Sequence, residues 1–61
     1  MSFSRKHYIA IAESFKAQTA NVPDGTAVWH TLFDLARDMA DYFQQDNPRF
    51  QRDRFMSACG F

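Results

Sequence analysis

The stretch "TAVWHTLFDLARDMADYFQQDNP", Thr26 to Pro48, decides the fold. Stepping about 100° per residue, as an α-helix does, gathers Val28, Leu32, Leu35, Ala36, Met39, Tyr42 and Phe43 on one face. Trp29, Phe33 and Ala40 widen that face to roughly half the circumference. A helix packed on a single neighbour needs an apolar stripe only about 100° wide. The surplus predicts that this helix is covered from two sides or offers part of its face to a partner. His30, Asp34, Asp38, Asp41 and Gln45 form the opposite, polar stripe. Asp24 or Thr26 caps the start, and the helix runs to about Gln45. Pro48 stops it, because proline disfavours helical geometry in the residue before it.

Upstream, Ser4 is placed to cap a first helix, with Phe3 as a hydrophobic staple against Tyr8. Tyr8, Ile11, Ala12 and Phe15 then recur at the spacing of one buried helical stripe. The pattern fades at "QTANVPDGT", where Asn21, Pro23, Asp24 and Gly25 predict a loop. Downstream, a short third helix is expected over about Gln51 to Ala58, anchored by Phe50, Phe55 and Met56. Gly60 suits the left-handed residue that ends it, with Phe61 folding back on the last turn. The expected fold is all-α: a compact three-helix domain over residues 1–61, two longer antiparallel helices and a short third.

A chain of 61 residues is near the lower size limit for folding without help, and such domains lean on disulfides, metals, oligomerisation or well-packed helices. One cysteine, Cys59, permits neither an intramolecular disulfide nor a cysteine metal cluster. The core must come from apolar side chains, and seven Phe, two Tyr and one Trp supply large ones. The start "MSFSRKHYIA" has no long apolar run, so neither a signal peptide nor a membrane span is expected. The reading is a cytosolic protein. Zero net charge gives no general pull toward nucleic acid or anionic membrane. The distribution is uneven: Arg5, Lys6 and Lys16 near the start and Arg49, Arg52 and Arg54 near the end flank an acidic middle. The expectation is that basic ends pack against that middle.

No phosphate loop, nucleophile motif or paired-carboxylate pocket is present, and a chain this short has little room for an enzyme-sized cavity. The protein is read as a non-enzyme without cofactor or metal. His30 and Asp34 share a helical face, but a structural zinc site wants four ligands. His7 reads as a boundary residue and Cys59 as a small buried thiol. Two binding surfaces remain. Asp34, Asp38 and Asp41, together with the edge of the apolar face near Trp29 and Phe33, suit a partner with a basic groove. Arg5, Lys6, Arg49, Arg52 and Arg54, interleaved with aromatics, suit nucleic acid by charge and stacking. Burial of Phe50, Phe55 and Phe61 in the core would remove the stacking half of that second reading.

"SRKHY" at Ser4–Tyr8 and "DNPRFQRDRFMSACG" at Asp46–Gly60 together resemble small uncharacterised proteins of phages, plasmids and other bacterial mobile elements. Those proteins pair a start like Ser-Arg-Lys-(His/Asp)-Tyr with an ending like Asn-Pro-Arg-Phe-x-Arg-x-Arg-Phe-x-x-Ala-Cys-Gly. The match covers about a third of the chain and omits the acidic stripe. The resemblance carries no catalytic residues; it implies a compact accessory protein. The function expected is binding and inhibition of a bacterial host or defence complex, as anti-CRISPR proteins do. The alternatives are a small nucleic-acid-binding regulator and a homodimeric accessory protein.

Overall fold

The computed structural model describes residues 3–61, and they form three helices: α1 (Arg5–Thr19), α2 (Ala27–Asp46) and α3 (Arg52–Ala58). No strand occurs among the described residues. The radius of gyration is 11.4 Å, and the extents of 33 × 18 × 17 Å are set by α2, since 20 residues of helix span about 30 Å.

Local chemistry places each boundary. Ser4 is the extended residue before α1, and its backbone N–H donates to Nδ1 of His7 at 2.9 Å. The Ser4 hydroxyl lies 3.1 Å from the same nitrogen. His7 thus takes the place that a glutamate fills in the usual capping box. Phe3 packs on Tyr8, 6.1 Å between ring centroids, as the staple pattern requires. The Thr26 hydroxyl accepts the Trp29 N–H and caps α2. At the far end the chain turns through Asn47, whose side-chain oxygen accepts the Arg49 N–H at 3.0 Å while its carbonyl accepts that of Phe50 at 2.9 Å. Gly60 ends α3 with φ +99°, and the Phe61 N–H returns to the Met56 carbonyl.

Phe43 is the hub of the core. It is 1% exposed and meets Phe3, Tyr8, Phe50 and Phe55 at centroid distances of 5.0–5.6 Å. Ala40 and Ala36, about one and two turns back on α2, are fully buried, so the neighbouring helices approach closely there. Contacts at both ends show that α1 and α2 run antiparallel. Tyr8 meets Phe43, and Phe15 and Gln18 share a groove with Leu32 and Leu35. The short α3 packs against both long helices, with Phe55 and Cys59 buried. Thr19 ties its end to α1: the hydroxyl donates toward the carbonyls of Cys59, at 3.2 Å, and Lys16, at 3.1 Å.

The broad apolar face of α2 is only partly covered. Phe43, Ala36 and Ala40 face the core, while Val28, Leu35 and Tyr42 are 59%, 52% and 62% exposed. Their sequence spacing matched the core stripe, but α3 sits over the Phe43 side and α1 touches α2 along a narrow strip. The opposite edge also differs from expectation. Trp29 and Phe33 stack at 5.3 Å, and Phe61 lies edge-on to both, at 5.5 and 5.3 Å. Phe61 therefore reaches back past its own helix to cover the beginning of α2.

Candidate functional site

The open side of α2 carries Val28, Leu35 and Tyr42 at intervals of seven residues, so they stand in one row along the helix. Beside that row a shallow apolar groove of about 200 Å³ is lined by Ser14, Phe15 and Gln18 of α1 and by Leu32 and Leu35 of α2. Asp34, Asp38 and Asp41 border the row on the solvent side. All three are exposed. Arg37 lies between the first two, 3.5 Å from Asp34 and 4.0 Å from Asp38. Asp41 binds the guanidinium of Arg52 from the start of α3. This last contact is the pairing of a basic end with the acidic middle that the charge distribution suggested. The rim thus sets Asp34, Asp38 and Asp41 against Arg37 and Arg52 and presents a weakly acidic edge to an exposed apolar strip.

The other basic residues go elsewhere. Arg5, Arg49 and Arg54 line one groove between the start of α1 and the segment from Asn47 to α3, with Tyr8, Phe50 and Phe55 among its apolar walls. Its volume of about 510 Å³ is within the range of ligand pockets, which the short chain was not expected to have room for, and no aspartate or glutamate lines it. Arg54 donates to the Gln51 side chain at 3.4 Å. Lys6 is exposed but does not line this groove, and Arg52 is turned toward Asp41. Of the five basic candidates, three therefore converge. Phe50 and Phe55 are 7% and 4% exposed, so they build the groove from within and have no free face on which a base could stack.

The remaining reactive groups occupy structural places. Cys59 is fully buried, and burial pushes its thiol up from the ordinary 9.0 to about 11. A thiol so held is a poor nucleophile at neutral pH. His7 belongs to the α1 cap, and His30 lies edge-on to Trp29 at 5.1 Å. Among the described residues no three or more of His, Cys, Asp and Glu come together as metal ligands would. No described helix is long and apolar enough to cross a membrane.

The row Val28–Leu35–Tyr42 was part of the sequence pattern, but its exposure was not legible there. The convergence of Arg5 with Arg49 and Arg54 had no sequence signal beyond the bias toward basic ends. Set against protein-family models, curated proteins and solved structures, the chain has no significant match.

Proposed function

We propose that this protein is a small non-enzymatic interaction module that docks on a larger bacterial protein complex through the open side of α2 and inhibits it by occupying that surface. The observation that carries this reading is the row of Val28, Leu35 and Tyr42, each more than half exposed and bordered by Asp34, Asp38 and Asp41. Contiguous exposed apolar groups rimmed by polar ones are a mark of interaction surfaces. Tyrosine in particular is enriched in interface cores.

Size sets how far the contact extends. A standard interface covers about 800 Å² per partner, close to a fifth of the 4473 Å² surface of this domain. One face of a 30 Å helix about 10 Å wide offers roughly 300 Å². The contact therefore spreads over the neighbouring groove onto Ser14 and Gln18 of α1, a neutral strip. The complementary partner has an apolar ridge or helix flanked by lysine or arginine. A second copy of this chain is the poorer match, because it would bring acidic rims toward each other, and like charges across an interface disfavour association. The resemblance of both ends of the chain to mobile-element proteins supports an inhibitory role by analogy.

The test is affinity capture of the tagged protein from host lysate treated with nuclease, run beside Leu35→Lys and a double Asp34→Lys, Asp38→Lys variant. Circular dichroism confirms that each variant stays helical. The wild type is expected to retain a stoichiometric protein that both variants lose and that Arg49→Gln keeps. Equal capture by Leu35→Lys, or a wild type that sediments as a dimer and captures nothing, overturns the proposal.

A further inference from the structure

The arginine-lined groove on the other flank of α1 is separate from the α2 face. We propose that it is a binding site for a compact oxyanion, a carboxylate or a phosphate monoester, carried on an aromatic or aliphatic body. Three observations lead there. First, Arg5 from one end of the chain and Arg49 and Arg54 from the other, 44 residues away at the nearest, line one groove that no carboxylate lines. Like charges gathered without a counter-ion repel one another, and an oxyanion relieves that repulsion while accepting the forked N–H donors that guanidinium offers. Second, the amino-terminal end of α1 opens at the same place, since Ser4 and Arg5 both line the groove. The helix dipole adds partial positive charge there. Third, the walls are largely apolar, with Tyr8, Ile9 and Ala12 of α1 facing Phe50 and Phe55 across the groove. They suit the aromatic or aliphatic body that carries the oxyanion.

The size favours a small ligand group over a polymer. A volume of about 510 Å³ falls within the roughly 300–1,000 Å³ of ligand pockets. A nucleic-acid strand needs a track of cationic side chains along successive phosphates. Here Lys6 stands off the groove and Arg52 is engaged by Asp41, so the three arginines end on themselves. The buried Phe50 and Phe55 offer no stacking platform.

The experiment is an amide-resolved NMR titration of the full chain at physiological salt. The probes are phenylacetate, phenyl phosphate, inorganic phosphate, benzyl alcohol and an oligothymidylate 15-mer. The first two arms distinguish a carboxylate source from a phosphate source. Saturable shifts are expected at Arg5, Ile9, Gln51 and Arg54 with at least one aromatic anion. Binding of inorganic phosphate is expected to be about tenfold or more weaker, and that of the alcohol undetectable. Arg49→Gln and Arg54→Gln, both at exposed positions that leave the fold intact, should each weaken the anion about tenfold, the scale of one lost charge-assisted pair. The proposal is overturned if neither aromatic anion saturates, if both variants bind as the wild type does, or if the oligothymidylate binds more tightly than either anion.

Discussion

Gly60→Ala probes the joint that holds the end of α3 against the end of α1. Gly60 has φ +99°, and a Cβ there would lie 2.8 Å from Oγ1 of Thr19. Two costs follow. A non-glycine residue in the left-handed region costs about 1–2 kcal/mol. The close approach forces the Thr19 hydroxyl to turn away, which forfeits its hydrogen bond to the Cys59 carbonyl, about 1 kcal/mol. The sum, about 2–3 kcal/mol, is a large share of the roughly 3–9 kcal/mol that a 61-residue domain holds. It corresponds to a fall in Tm of about 10–20 °C. Thermal melts by circular dichroism of Gly60→Ala, Thr19→Ala and the double variant separate the two costs. Thr19→Ala alone loses the hydrogen bond, about 1 kcal/mol, and in that background Gly60→Ala should cost only the conformational 1–2 kcal/mol. An equal cost of Gly60→Ala in both backgrounds refutes the contact with Thr19. No cost in either refutes the left-handed turn.

Four further outcomes are expected. Because burial raises the Cys59 thiol to about 11, its protonated form stabilises the fold below the ordinary value. The contribution of this thiol is then constant up to about pH 9 and falls by about 2–3 kcal/mol toward pH 11, as ionisation favours the unfolded chain; urea melts should show this fall and a Cys59→Ala variant should lack it. Phe61→Ala removes the edge contact on Trp29 and Phe33; it should shift the emission of the single tryptophan and cost about 1–2 kcal/mol, and an unchanged spectrum would mean that Phe61 does not rest there. Tyr8→Phe deletes a hydroxyl that has no partner, so stability should hold or rise by up to about 1 kcal/mol, whereas a clear loss in the melt would reveal a partner. Arg52→Ala breaks an exposed ion pair with Asp41 and should cost under about 1 kcal/mol, less still at high salt; a loss above 2 kcal/mol in denaturant titration would contradict that.

Helix positions were legible because their signals are local. Pro48 stops α2, Gly60 ends α3, and the 3.6-residue period of α2 needs no knowledge of its neighbours. What the period lacks is any account of coverage. A half-circumference apolar arc says that something lies against it, but whether Val28, Leu35 and Tyr42 are inside depends on where a seven-residue α3 sits. His7 reads as a boundary residue in the sequence because the capping-box signal is a glutamate or glutamine at that position, whereas here the imidazole accepts the same bond. The arginines illustrate the same limit at long range. Arg49, Arg52 and Arg54 look equivalent in sequence, yet one turn of backbone sends Arg52 to Asp41 and leaves the others beside Arg5.

The most direct test of the α2 face is site-specific photo-crosslinking in host lysate, with benzophenone-bearing residues placed in turn at Leu35, Tyr42, Glu13 and Arg54. Docking through the open side of α2 predicts one heterologous adduct from Leu35 and Tyr42 and none from Glu13 or Arg54. An adduct formed only from Arg54, or one from Tyr42 at twice the 7.1 kDa of the chain, would contradict it.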